Sequence, residues 1–125
     1  MSDRFRVLVV DDSDFQRAVT IKRLEGTEFD VAGEARGGAE AVAMYGPLAP
    51  NVVLLDVVMA DQNGLVTLRQ IVTADPDARV LMLSSMGTED VLRECAAAGA
   101  AGFILKPVQK EQLVQALRSA VRPRP

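Results

Sequence analysis

Five short apolar runs punctuate the chain: Phe5–Val10, Phe29–Ala35, Val52–Leu55, Val80–Leu83 and Phe103–Leu105. Their last residues lie about 20–30 positions apart, too far for hairpins and about right for one strand, one helix and two turns. The first, third and fourth runs are apolar almost without alternation and rich in Val and Leu, as expected of parallel strands covered on both faces. The second carries Asp30 and Glu34, which marks it as an edge strand.

Helical periodicity fills the gaps. Leu113, Ala116, Leu117, Ala120 and Val121 form one apolar stripe; Leu65, Leu68, Ile71 and Val72 form a second, and Val91, Leu92, Cys95 and Ala96 a third. Phe15, Ala18, Val19 and Lys22, continuing to Leu24, form a less regular fourth, and the Ala-rich Gly37–Tyr45 stretch is the weakest helix. Ser13 and Gln16 suit a capping box. Gly26, Gly46-Pro47, Asp75-Pro76 and Gly99 stand where helices should stop. The reading is α/β: a strand–helix unit repeated five times, with right-handed crossovers placing helices on both faces of an open parallel sheet. It implies a single domain over 1–125 with its core at 4–121. Arg122-Pro123-Arg124-Pro125 is expected to be a frayed tail or the start of a truncated linker.

Composition narrows the function. The 125 residues include 17 acids, 14 bases, no His and one Cys. Without imidazole there is no Ser-His-Asp or Cys-His nucleophile pair, no His-dependent zinc site and no phosphohistidine in this chain. Cys95 alone makes no intrachain disulfide or CxxC motif and is expected to be a buried, inert thiol. These features fit a reducing, cytoplasmic setting. A net charge of −3 gives no reason to expect direct nucleic-acid binding. No apolar run approaches the ~20 residues that span a bilayer, and Met1-Ser2-Asp3-Arg4 has no signal-peptide pattern.

In open parallel sheets, ligands bind outside the carboxyl ends of the strands. Four of the five strands end there in polar residues: Asp11 and Asp12, then Asp56, then Ser84 and Ser85, then Lys106 followed by Pro107. Crowded carboxylates in a partly dry crevice stay ionised when a cation joins them. All-oxygen ligation of modest denticity suits Mg²⁺, which typically takes one or two carboxylates and a phosphoryl oxygen. A carboxylate can also attack phosphorus to give an acyl phosphate. Lys106 and the Ser84 hydroxyl would then hold the remaining oxygens of the transferred group.

Val9-Val10-Asp11-Asp12-Ser13, Leu54-Leu55-Asp56-Val57-Val58-Met59, Asn63-Gly64, Leu83-Ser84-Ser85 and Phe103-Ile104-Leu105-Lys106-Pro107 resemble the signature blocks of response-regulator receiver domains, most of all the chemotaxis, CheY-like type. The resemblance spans about residues 4–121 and implies a flavodoxin-like sheet of order 2-1-3-4-5. It implies that Asp56 accepts a phosphoryl group from a sensor histidine kinase. Asp12 and Asp56 would ligate Mg²⁺ with the Val58 backbone carbonyl, and Asp11 would act through metal-bound water. Ser84 would turn inward to the phosphoryl group, Lys106 would pair with it, and Phe103 would be the aromatic switch. The Lys106–Pro107 peptide would be cis. Output would pass to a downstream protein through the face made by the fourth helix, fifth strand and fifth helix, with Thr88, Glu89, Phe103, Lys110 and Gln112 as candidates. The implied molecule is a monomer or a phosphorylation-dependent dimer that binds neither membrane nor nucleic acid directly.

Departures from the family pattern carry further expectations. Ala60 stands where proline is usual, which suggests a more mobile loop. Val58 and Met86, at positions that resemble the family's modulators of dephosphorylation, are apolar, which suggests a long-lived phosphoryl group. Met59 and Met86 flank the site as candidate gates. Gly37-Gly38 suits a helix-entry loop, and Asp61, Gln62 and Asn63 suit a turn and cap. One alternative is a receiver excised from a longer regulator with a DNA-binding or enzymatic output domain. An aspartyl-phosphate phosphatase is disfavoured because Val58 stands where such enzymes want a second aspartate. The intact acid set argues against a degenerate receiver used only for binding.

Overall fold

The computed structural model describes residues 4–121, so the sequence expectation for 122–125 lies outside the described residues. The strands are β1 (Phe5–Val10), β2 (Phe29–Ala35), β3 (Val52–Asp56), β4 (Val80–Ser84) and β5 (Gly102–Leu105). Between and after them run α1 (Asp14–Leu24), α2 (Gly38–Leu48), α3 (Gly64–Ala74), α4 (Glu89–Ala97) and α5 (Lys110–Val121). All strand pairs are parallel, in the order β2-β1-β3-β4-β5. The expected flavodoxin-like arrangement is therefore present, with the polar β2 at an edge.

Continuous apolar strands supply two cores, because successive side chains point to opposite faces. Val7 and Val9 join Leu54, Leu81 and Leu83 on one face, covered by Leu24 of α1 and by Leu113 and Leu117 of α5. Leu8 and Val10 join Val53, Leu55 and Met82 on the other, under Ala41 of α2, Leu68 and Ile71 of α3 and Cys95 of α4. Each fully buried Val or Leu contributes about 1.5–3 kcal/mol of burial free energy. This anchors the central strands and holds their carboxyl ends in register.

Three expectations are corrected. On α1 the Phe15–Ala18–Val19–Lys22 stripe does not face the core: Phe15 is 71% exposed, and Ala18 and Lys22 are exposed too. The inward face instead carries Arg17 and Leu24, with Ile21 packed against the core beside them. A cation can hold that place because Asp14, Glu34 and the Asp11 carbonyl all accept from its guanidinium. The capping box is half-formed. Ser13 Oγ accepts from the Gln16 amide (3.2 Å), while the Ser13 amide donates to Asp11 Oδ1 (2.9 Å). Finally, α2 runs through Gly46-Pro47 to Leu48. Pro47 lies in the last turn, so the i→i−4 bond it cannot donate is lost at the helix end and not in its interior. Ala49, at φ +46°, closes that turn by donating to the Tyr45 carbonyl, and Arg6 donates to the Leu48 carbonyl (2.7 Å).

Asn63 caps α3 by accepting from the Leu65 amide (2.8 Å), and Gly64 lets the helix start against the end of β3. A Cβ on Gly64 would lie 2.2 Å from the Asp56 carbonyl oxygen and 2.8 Å from Val57 Cα. Around Gly46 such an atom would meet nothing within 4 Å. Gly64→Ala should therefore destabilise the fold by about 3 kcal/mol, whereas Gly46→Ala should stabilise it by up to about 1 kcal/mol. Urea unfolding of both variants checks the contrast; equal effects would contradict it.

Candidate functional site

The strand ends converge as the sheet order requires. Val10 lies beside Leu55 in the β1–β3 register, so Asp11 and Asp12, next along the chain, lie beside Asp56. One oxygen from each of these three carboxylates lies within 4.8 Å of the others. Lys106, one residue past β5, donates from Nζ to Asp11 Oδ2 (3.1 Å) and Asp56 Oδ2 (3.4 Å). The Asp11 and Asp56 side chains are only 8% and 13% exposed, while Asp12 faces solvent. One lysine against three carboxylates leaves a surplus of negative charge in a partly dry crevice. All-oxygen donors at this spacing suit a hard divalent cation.

Burial pushes the Asp56 carboxyl above the ordinary aspartate range. Lys106 pulls the other way, but neighbouring Asp11 adds to the upward push, and the Val58 amide donates to Oδ1 (3.3 Å) without reversing it. Ionising Asp56 in this crevice is thus electrostatically costly.

Other expected residues fall at different distances from the chemistry. Ser84 is fully buried at the end of β4, and its Oγ accepts from the Met86 amide (3.0 Å). In this state the hydroxyl is engaged with its own loop. Ser85 is exposed. Phe103 is half-buried and packs against the α2–α3–α4 core. The Lys106–Pro107 peptide is cis, as expected. Met59 is buried among core residues, which corrects its assignment as a gate, whereas Met86 and Val58 are each 56% exposed. Of the output-face candidates, Thr88 caps α4 and Glu89 pairs with Arg93. The Gln112 side chain accepts from the Gln109 amide ahead of α5 (3.2 Å). Lys110 reaches the Glu25 carbonyl just past α1 (3.0 Å) and so turns away from α4.

Sequence reasoning missed several residues that support this site. Arg17 donates from Nη1 to the Asp11 carbonyl (2.7 Å) and ties the end of β1 to α1 and β2. Burial opposes its charge, but its hydrogen bonds to the Asp14 and Glu34 carboxylates outweigh that and raise its pKa. The available signal was Asp14 three residues before Arg17 on α1, at ion-pair spacing. Asp61, expected with Gln62 and Asn63 to make a turn and cap, caps α2 from another segment. Its carboxylate accepts from the Gly38 and Ala39 amides (both 3.1 Å), and these backbone bonds, with that from Gln62, hold its pKa below the ordinary range. Nor is the Ala60 segment loose. The Ala60 amide donates to Asp12 Oδ2 (2.7 Å), a bond proline could not make.

Among the described residues, no helix is long and apolar enough to cross a membrane. Residues 7–118 match the family model of the response regulator receiver domain. The chain is 39% identical over 112 residues to the chemotaxis protein CheY of Thermotoga maritima, covering 90% of this chain and 93% of that one. It also resembles two solved structures. One is the CheX–CheY–BeF₃–Mg²⁺ complex from Borrelia burgdorferi, with a TM-score of 0.91 and 32% identity over 95% of this chain and 90% of that one. The other is the response regulator domain of Thermotoga maritima CheB, with a TM-score of 0.89 and 34% identity over 98% of this chain and 99% of that one.

Since the folded-state pKa of Asp56 is raised, its ionisation costs stability as pH rises through that value, and the cost vanishes once the carboxyl is protonated. Asp56→Asn should therefore stabilise the metal-free protein at neutral pH, by about 1 kcal/mol, with the gain shrinking in acid. Thermal unfolding in EDTA across pH measures this; a variant less stable than wild type at neutral pH would contradict it.

Proposed function

The chain belongs to the response regulator receiver domain family, and from that premise we propose that Asp56 is its phosphoacceptor, Lys106 and Ser84 the groups that hold the transferred phosphoryl, and Phe103 the switch. The protein is a phosphoaccepting receiver. The observation that carries the residue assignment is the carboxylate cluster of Asp11, Asp12 and Asp56, bridged on two of its members by Lys106.

The donor is a sensor kinase's phosphohistidine. An Asp56 carboxylate oxygen attacks phosphorus, a P–O bond forms as the donor's P–N bond breaks, and the departing imidazole takes its proton from solvent. Asp12 and Asp56 would hold Mg²⁺ with the Val58 carbonyl, and Asp11 through water. When bound, the ion neutralises charge on the transferred group. Lys106 already spans Asp11 and Asp56, so its ammonium lies beside the place where phosphoryl oxygens arrive. There it acts as a fixed positive donor that needs little reorganisation.

The Ser84 hydroxyl accepts from Met86 and keeps its own proton, so it can donate to a phosphoryl oxygen. That bond draws the Ser84–Thr88 segment inward. Space opens beside β4, Phe103 rotates into it, and the α4–β5–α5 face changes shape for a downstream protein. The added charge at one end of the sheet is the local event; the repacked face is its readout.

Two measurements test this reading. With Mg²⁺ and acetyl phosphate, the wild type should gain a single adduct of about 80 Da, one phosphoryl group, and Asp56→Asn should gain none. An adduct on the variant, or one formed equally in EDTA, would refute the assignment. Val58 and Met86, two residues after Asp56 and Ser84 and both exposed, carry apolar side chains with no charged or strongly hydrogen-bonding group to position an attacking water. Met86→Glu or Val58→Asn should shorten the phosphoryl lifetime several-fold when loss of the adduct is followed by mass; unchanged lifetimes in both would discredit the idea.

A further inference from the structure

We propose that the backbone amide of Ala60 is a positioning group for the Asp12 carboxylate, and that Asp61's clamp on the start of α2 holds that amide in place. The proposal rests on the cation reading given above and adds a component to it. Lys106 reaches Asp11 and Asp56; Asp12, the solvent-facing acid, is met instead by the Ala60 N–H at 2.7 Å. An exposed aspartate otherwise samples several rotamers, and an ion would have to order it on arrival. A short bond from backbone fixes the carboxylate in advance, as partners of metal ligands commonly do.

That donor is useful only if its own segment is fixed, and the adjoining residues fix it. The two Asp61 oxygens accept from the Gly38 and Ala39 amides at 3.1 Å each. Gly37, the N-cap of α2, offers no side chain for those donors, and the carboxylate also faces the positive end of the helix. The fit is close, since a Cβ on Gly37 would lie 2.6 Å from Asp61 Oδ1. Gln62 continues the attachment by donating to the Oγ of buried Thr67 on α3 (2.6 Å). The segment from Ala60 to Gln62 is thus tied to Asp12, α2 and α3 in turn.

The test compares Mg²⁺ affinity, measured calorimetrically, for wild type, Ala60→Gly, Ala60→Pro and an amide-to-ester replacement of the Met59–Ala60 peptide. The proline and ester chains lack the N–H, and both should bind about 10-fold more weakly; the glycine chain keeps it and should match wild type. The ester guards against a proline variant that misfolds. A metal-free readout accompanies these: in EDTA the Ala60 amide should exchange slowly in wild type and faster in Asp12→Ala and Asp61→Ala. Equal Mg²⁺ affinity in wild type, proline and ester chains overturns the proposal, as does equal weakening in the glycine chain. Wild type that binds no Mg²⁺ refutes the cation reading instead.

Discussion

Asp11, Asp12 and Asp56 gather three like charges at one edge of the sheet, with oxygens within 4.8 Å of one another and one ammonium among them. Such an arrangement opposes folding, because burial and mutual repulsion both disfavour the ionised forms. It persists because the surrounding structure over-determines it. Arg17 anchors the Asp11 carbonyl, the Ser13 amide holds the Asp11 carboxylate, and the Ala60 and Val58 amides hold Asp12 and Asp56. On the proposed reading, a divalent cation would relieve the tension at this crevice.

The rest of the fold serves as the frame. Apolar residues on both faces of β1, β3 and β4 lock those strands together, so the acids at their ends inherit a fixed separation. The glycine at 64 brings α3 against the Asp56 backbone. The other side of the site is less tightly built: Ser84 is held by its own loop, and the residues after it, from Ser85 to Thr88, are exposed. The acids thus stand at the ends of β1 and β3, while Ser84, itself fully buried, leads into an exposed loop, an arrangement that suits the proposed switch.

Much of this was legible in the sequence because strand burial and strand-end chemistry leave local marks. Val52–Leu55 and Val80–Leu83 read as two-faced strands, and Asp11, Asp12, Asp56 and Lys106 follow from where strands stop. What escaped depends on partners distant in sequence. Arg17 faces inward because Glu34 of β2 and the Asp11 carbonyl at the end of β1 accept from its guanidinium. Asp61 read as a turn residue because its targets are backbone amides some twenty positions earlier. Ala60 matters through an N–H that nearly every residue type possesses. Pro47 looked like a stop, but α2 runs one residue past it, with the lost donor confined to the final turn.

The most direct test of the central claim is diffraction from crystals soaked in Mn²⁺, read at a wavelength where manganese scatters anomalously. The account predicts one strong anomalous peak between the Asp12 and Asp56 carboxylates, lost in Asp56→Asn. Clean maps with no peak there, in crystals whose acidic side chains are well ordered, would contradict it.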